Sequence, residues 1–179
     1  MSELARVSHG WLLESSLAGR AERTLASLGV EIEIRAARPG EEESLLRVWE
    51  WLFEPPGWRP EAWEERRATL ALREAIDSPD SIVLLAIADG DRVVGVCTAY
   101  RTIHAIRFGP RAWVEELAVH PEMRSQGIGS RLLAAARDWA RKRGASHLKL
   151  DSALARTEAH RFYEGEGPSG RSYSYVWEL

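Results

Sequence analysis

The chain has one cysteine, no long apolar run and no marked excess of either charge. The single thiol, Cys97, excludes an intrachain disulfide and a cysteine-based metal cage, and its apolar surroundings predict a small buried side chain. A net charge of −3 without a basic stripe argues against nucleic acid as a partner. No His, Asp or Glu pattern has metal-ligand spacing, so we expect no metal. With no 18-residue apolar span and no secretory segment, we expect a cytoplasmic protein without a membrane partner.

The composition is that of a globular protein: 179 residues, of which 45% are hydrophobic and 28% charged. This length predicts one main domain, which we place at residues 31–179. Residues 1–30 form a separate segment, in which apolar side chains recur at helical spacing at Leu17, Ala21, Leu25 and Leu28. We therefore expect an N-terminal helical extension before the domain.

The patterns after residue 30 predict the element order β-α-α-β-β-β-α-β-α-β. Strict alternation over 31–36 is typical of a half-buried strand, and Asp89-Gly90-Asp91 is a hairpin turn between two apolar strands. Further elements are expected as helices over 41–53, 61–76, from Gly129 to Gly144 and over 157–164, and as strands over 81–88, 92–100, 113–119, 147–150 and 172–179. This order predicts an α/β (α+β) fold with a mixed twisted sheet of about six to seven strands and helices on both faces.

An anion-binding turn is predicted where the strand ending at Val119 leads, through Pro121, into Arg124-Ser125-Gln126-Gly127-Ile128-Gly129 and a long amphipathic helix. The free N–H groups of such a turn point outward, and the helix dipole places partial positive charge there. The spacing lacks the third glycine of a dinucleotide-binding fingerprint and the lysine of a P-loop. The turn is suited to a phosphate chain.

This Arg/Gln-x-x-Gly-x-Gly turn resembles the pyrophosphate loop of the GNAT acetyltransferase superfamily. A second segment resembles that superfamily's signature Asn-x-x-Ala-x-x-Phe-Tyr-x-x-x-Gly-Phe, and the matching residues are Ala159, Phe162, Tyr163 and Gly167. Arg156 stands where the family has Asn, and Pro168 stands where it has the final Phe. The resemblance implies the GNAT fold and transfer of the acetyl group of acetyl-CoA to a primary amine, by direct attack in a ternary complex.

The resemblance also assigns roles to residues. Acetyl-CoA would be held by the strand and turn residues Leu117, Ala118, Val119, Arg124, Ser125, Gln126, Gly127, Ile128, Gly129 and Ser130, together with Arg156. Tyr163 would be the general acid that protonates the leaving thiolate. Glu115, or else Glu116, would act on the attacking amine as a base or orient a water, and we expect only one of them to face the cleft, because adjacent strand residues point to opposite sides. Glu115 would then share a face with Leu117 and Val119.

The resemblance places the acceptor pocket between Trp49 and Trp63 and at residues 101–112. Glu54, Trp58 and one glutamate of 115–116 would form an acidic pocket with aromatic walls for a cationic amine. Its identity stays open among small amines, amino acids, antibiotics and peptides. Oligomeric state also stays open, although homodimers are common in the family. Two other functions remain as alternatives: a non-catalytic acyl-CoA-binding sensor or regulator, because of Arg156 and Pro168, and an interaction module that uses the tryptophan-rich first part of the chain.

Overall fold

A five-stranded mixed sheet organises the part of the chain that the computed structural model describes, residues 31–102 and 106–177. The strands lie in sequence order: β1 Ile32–Ala36, β2 Ser81–Ala88, β3 Arg92–Thr102, β4 Arg111–Val119 and β5 His147–Leu150. Neighbours from β1 to β4 are antiparallel, and β5 pairs with β4 in parallel. The N-terminal helix expected over residues 1–30 lies outside the described residues.

The helices begin and end close to where the sequence patterns place them. They are α1 Glu42–Leu45, α2 Glu50–Phe53, α3 Glu65–Asp77, α4 Ile128–Lys142 and α5 Thr157–Gly165, with 3₁₀ turns at Leu46–Trp49 and Pro121–Met123. The single helix predicted over 41–53 is therefore interrupted by a 3₁₀ turn. The helix predicted from residue 61 begins at Glu65, because a turn in which the Trp63 N–H donates to the Pro60 carbonyl (2.9 Å) precedes it. None of these helices, the longest of which has 15 residues, could cross a membrane.

Helices cover both faces of the sheet, as the element order predicts. On one face, Leu45, Val48 and Leu72 of the early helices pack against the β2 side chains Val83, Leu85 and Ile87. On the other face, Ile128, Leu132 and Ala136 of α4 pack against side chains that include Val94, Cys97 and Val114. Cys97 is fully buried, as its surroundings predict. The α/β architecture is confirmed.

The strand predicted over 172–179 is wrong for the residues the structure describes there. Residues 172–177 have no strand conformation, and Tyr173, Tyr175 and Trp177 are 87%, 76% and 76% exposed. Alternation of polar and apolar side chains makes a segment suitable for a sheet, but a strand forms only when its backbone makes hydrogen bonds with the free edge of another strand. No described residue pairs with 172–177, so the described sheet has five strands rather than six or seven. Tyr175 and Trp177, two residues apart in the alternating pattern, have their ring centroids 6.4 Å from each other.

Candidate active site

The predicted phosphate turn has the backbone geometry that an anion site requires. Gly127 lies directly before α4 with φ of 78°, and Ser125 has φ of 61°, a conformation that a residue with a Cβ rarely adopts. Within the described residues, the amides of Ser125, Gln126 and Gly127 donate to no backbone acceptor. The first turn of α4 carries no acidic side chain. These N–H groups and the helix dipole together favour a bound phosphate.

The two sequence signatures contact each other at Gly129. A Cβ added at this position would lie 3.2 Å from Cζ of Phe162 on α5 and 3.4 Å from its Cε2. A side chain at residue 129 would therefore push the start of α4 away from α5. Because Tyr163 follows Phe162, this close packing fixes the distance between the phosphate turn and the predicted general acid.

The edge of β4 that faces β5 is unpaired over its second half. The parallel pairing runs from Arg111 opposite His147 to Val114 opposite Leu150 and then stops. Beyond it, the amide of Glu116 donates to Thr98 Oγ1 of β3 (3.1 Å) and that of His120 to the Val94 carbonyl (2.9 Å). Since successive amides of a strand alternate in direction, those of Leu117 and Val119 face the open side. A ligand that lies along β4 can use them.

A β-bulge brings Glu115 to the same face of the sheet as Glu116, contrary to the orientation expected from strand alternation. Thr98 of β3 is opposite Glu116, but the next residue, Ala99, is opposite Val114, so Glu115 is an extra residue in β4. Val114 and Leu117, three residues apart, consequently pack on the same face of the sheet. Glu115 and Glu116 line one cavity on the opposite face. The expectation that only one of them faces the cleft, and that Glu115 shares a face with Leu117, is wrong.

The two carboxylates have different surroundings. Glu116 accepts hydrogen bonds from the Thr98 hydroxyl and from Nε1 of Trp49 (3.3 Å). Partial burial raises the pKa of Glu115, and the negative charges of Glu116 and Asp151 raise it further. Glu116 is thus held in place by hydrogen bonds, whereas the raised pKa makes Glu115 more basic than an ordinary glutamate. This direction of shift suits a carboxylate that accepts a proton.

The cavity beside these carboxylates has a volume of about 400 Å³. Its walls come from the 3₁₀ turn after α1, from α3 and from strands β2, β3 and β4. A larger depression of about 580 Å³ shares Leu46 and Trp63 with it, and is lined mostly by charged side chains and by no residue of β4. Because the smaller cavity adjoins the open edge of β4, it is the better candidate for a reacting molecule.

Tyr163 lies on the other face of the sheet from the glutamates. It packs against the core formed under α4, and its ring centroid is 5.1 Å from that of Phe162. Burial and, to a smaller extent, the nearby Cys97 thiol raise the pKa of the Tyr163 hydroxyl to about 12, and Arg156 opposes the shift. The phenol is therefore protonated at neutral pH and can donate a proton. The open edge of β4 thus has carboxylates on one face and a phenol on the other.

A family model supplies the decisive comparison, since it is the model of the Acetyltransferase (GNAT) family and it matches residues 45–167. This range includes the glutamates, the phosphate turn and Tyr163. The chain belongs to the GNAT acetyltransferase family.

Relatives of known sequence support this membership. The chain is 37% identical over 90 residues to the uncharacterised N-acetyltransferase YhdJ of Bacillus subtilis, a match that covers 50% of this chain and 63% of that protein. It is 41% identical over 83 residues to the aminoalkylphosphonate N-acetyltransferase of Salmonella typhimurium, covering 46% of this chain and 53% of that protein. The chain thus spans less than two thirds of the length of these two curated relatives.

Solved structures share the GNAT fold. A transcriptional regulator from Bacillus halodurans C-125 superposes with a TM-score of 0.72 at 26% identity, covering 83% of this chain and all of that one. The aminoglycoside acetyltransferase AAC(6')-Iy, in complex with a bisubstrate analogue of CoA and acetylneamine, superposes with a TM-score of 0.66 at 20% identity, covering 83% of this chain and 99% of that one. The second likeness concerns the fold alone.

The predicted acceptor residues lie outside the 400 Å³ cavity. Glu54 is within 3.8 Å of Arg124 in the phosphate turn, and Trp58 is 67% exposed. Other expected parts of the pocket do line the cavity, since Trp49 and Trp63 supply aromatic walls and both Glu115 and Glu116 supply carboxylates.

Arg156, which replaces the GNAT Asn, connects two parts of the GNAT domain. Its guanidinium donates to the Leu52 carbonyl at 2.8 Å, across 104 residues of sequence. A Cβ added to Gly57 would clash with that carbonyl oxygen and lie 2.6 Å from the Arg156 guanidinium. Arg156 therefore ties the start of α5 to α2, a contact that a shorter Asn would not span.

Sequence reasoning missed Thr98 and Tyr100 of this GNAT site. Thr98 holds Glu116, and the pKa of Tyr100 is raised by desolvation and by the charges of Glu115 and Asp151. Asp151, whose place directly after β5 marks it in the sequence as a candidate for polar contacts, lies where the strands diverge. Nothing in the sequence of β3 distinguishes Thr98 or Tyr100 from other strand residues. Within residues 31–102 and 106–177, no group of three His, Cys, Asp or Glu side chains could hold a metal ion.

Proposed function

We propose that this GNAT protein transfers the acetyl group of acetyl-CoA to a primary amine by direct attack in a ternary complex. The observation that carries the proposal is the open edge of β4 beyond Val114, which has the phosphate turn at one end, two glutamates on one face and Tyr163 on the other. A cytoplasmic location and the division into an extension over 1–30 and a catalytic domain over 31–179 belong to the same proposal.

The residues present fit acetyl-CoA. The amides of 125–130 and the positive end of α4 would hold the diphosphate, with Arg124 beside them. The outward amides of Leu117 and Val119 would pair with the amide-containing arm, and Arg156 would stay near that arm through its bond to Leu52. Acetyl-CoA would supply an activated acetyl group as a thioester.

The side chains divide the proton transfers. Only an uncharged amine is nucleophilic, so Glu115 would accept the proton of the bound ammonium, directly or through water. Glu116, held by Thr98 and Trp49, would orient the amine. A backbone amide of β4 would stabilise negative charge on the acyl oxygen, and Tyr163 would protonate the departing sulfur.

Thiol release from acetyl-CoA tests the proposal when it is followed against a panel of amines. We expect amine-dependent release of thiol and a higher melting temperature with excess acetyl-CoA, since a ligand that binds the folded state stabilises it. A non-catalytic sensor would show the stabilisation and no thiol release with any amine. An interaction module would show neither.

The variant Tyr163→Phe tests the assigned acid. Loss of the proton donor should lower kcat by about 10²-fold or more, with little change in the Kd for acetyl-CoA. The matched control is Tyr173→Phe, because Tyr173 is exposed and far from the core. A Tyr163→Phe protein with wild-type kcat would remove Tyr163 from the mechanism.

A further inference from the structure

The walls of the 400 Å³ cavity are largely apolar. Helix α3 presents Ala68, Ala71, Leu72 and Ala75 to it, and Leu46, Trp49 and Ile82 contribute further carbon surface. The alanines leave room because their side chains are short. Such a surface favours an apolar ligand of matching shape, since burial of carbon surface is the main gain available there.

Most polar groups in these walls already have partners inside the protein. The Ser81 hydroxyl donates to the Ala75 carbonyl (2.8 Å), and the Arg67 guanidinium donates to the Ala62 carbonyl (2.5 Å). The Thr98 hydroxyl is bonded to Glu116. Trp63 Nε1, which has no partner among the described residues, and the Tyr100 hydroxyl also belong to the lining residues. These groups are few for a ligand that carries many hydroxyl or amino groups.

The negative charge in the cavity is concentrated on β4, and the cation Arg67 of α3 lines another part of the wall, where it donates to the Ala62 carbonyl. Glu115 and Glu116 both line it because of the bulge, and the Asp151 carboxylate acts electrostatically on Glu115. Three carboxylates in one region attract a cation and favour it over a neutral or anionic group. The cavity thus combines one cation-attracting region with carbon-lined walls.

We infer that the acceptor is a monoamine whose single ammonium group binds at Glu115 and Glu116 while an uncharged apolar body, aromatic or aliphatic, lies against Ala68 and Leu72 of α3. This inference rests on the proposed function and names its substrate class. A polyhydroxylated polyamine such as an aminoglycoside would bring more cations and hydroxyls than the walls can pair with, and each unpaired polar group opposes binding. An ω-amino acid or aminoalkylphosphonate would place an anion in the same space, where the one cation on the lining, Arg67, already donates to the Ala62 carbonyl.

Competing acceptors of known chemistry provide the test. With acetyl-CoA at saturation, kcat/KM would be measured for phenethylamine, aminohexanoate, aminoethylphosphonate and kanamycin. We expect phenethylamine to exceed each of the others by about tenfold or more, a ratio that one or two unsatisfied polar groups produce. A higher kcat/KM for kanamycin or for either acid would overturn the inference and leave the proposed acetyltransferase function standing.

The variant Ala68→Leu tests the location of the apolar body. Ala68 lines the cavity and is partly exposed, so a larger side chain there fills the space without disturbing the buried core. We expect the KM for phenethylamine to rise about tenfold while the KM for acetyl-CoA stays the same. The matched control is Ala134→Leu on the exposed surface of α4, which should change neither constant. An unchanged amine KM in Ala68→Leu, with a wild-type melting temperature, would refute the assigned location.

Direct binding separates failure of the inference from failure of the proposed function. The Kd for phenethylamine would be measured by calorimetry with CoA present. Binding that Ala68→Leu weakens, without turnover of any amine, would support the cavity assignment and refute the acetyltransferase function. Absence of both binding and turnover for phenethylamine would refute the inference, whichever other amine reacts.

Discussion

The variant Thr98→Val should disturb the bulge that places both glutamates in the cavity. Thr98 is 8% exposed, and its hydroxyl replaces a backbone partner at the point where the β3–β4 register shifts. It accepts the Glu116 N–H at 3.1 Å and donates to the Glu116 carboxylate. Valine has nearly the same shape, so the substitution removes these hydrogen bonds and little packing.

The expected loss of stability follows from the hydrogen-bonding groups that Thr98→Val leaves without a partner. The Glu116 carboxylate is partly exposed and can turn to water, whereas its N–H lies between paired strands. A buried donor without an acceptor costs about 1–3 kcal/mol. For a chain of this length, a loss of about 2 kcal/mol lowers the melting temperature by roughly 4–8 °C.

Thermal unfolding measures the predicted effect of Thr98→Val on stability, and kinetics with varied amine measure its effect on activity. Displacement of the carboxylates should lower kcat/KM for the amine by about 10- to 100-fold, because small misplacements of reacting groups are costly. The KM for acetyl-CoA should stay the same. Thr98→Ser keeps the hydroxyl and should retain most activity, and Thr69→Val, at a helix hydroxyl bonded to the Glu65 carbonyl, should change stability by less than about 0.5 kcal/mol. If Thr98→Val is as active and as stable as Thr98→Ser, the role given to the hydroxyl is wrong.

Two further predictions concern charge and packing. The pKa of Glu115 is raised in the folded state, so folding favours its protonated form. As pH rises from about 4.3 through the raised pKa, the free energy of unfolding of the wild type should fall relative to that of Glu115→Gln. At lower pH the free energies of unfolding of the two proteins should converge. The acidic limb of kcat/KM should also disappear in Glu115→Gln, and an unchanged limb would exclude this residue as the base. Gly95→Ala should destabilise the protein by about 1–3 kcal/mol, since its Cβ would lie 2.9 Å from Cδ1 of the fully buried Leu132. Gly165→Ala, whose Cβ would meet nothing within 4 Å, should change stability by about 1 kcal/mol or less; equal effects in chemical denaturation would contradict the packing argument.

Short-range signals predicted most of the elements. The alternation before Ala36, the hairpin at Asp89-Gly90 and the apolar stripe of α4 each depend on residues close in the chain, and all three elements are present. The 172–177 segment has an equally clear alternation and forms no strand. Its conformation depends on a distant edge, and no local pattern encodes whether that edge is available.

The predicted acetyl-CoA side of the candidate site could be recognised from the sequence more directly than the predicted acceptor side. A phosphate turn is built from consecutive residues, so Gly127 and its neighbours could be recognised directly, and the family match agrees with that interpretation. The acceptor side assembles from α3 and three strands. Of the residues expected there, Glu54 and Trp58 do not line the cavity, whereas both Glu115 and Glu116 do.

The sequence by itself determined the family, the order of the elements and the turn suited to a diphosphate, because each depends on residues that are close together in the chain. The tertiary structure alone decided how Glu115 and Glu116 are oriented. Strand alternation directs them to opposite faces, and one extra residue opposite Thr98 of another strand brings both to the same cavity. A bulge is a property of two paired strands, and neither strand specifies it alone.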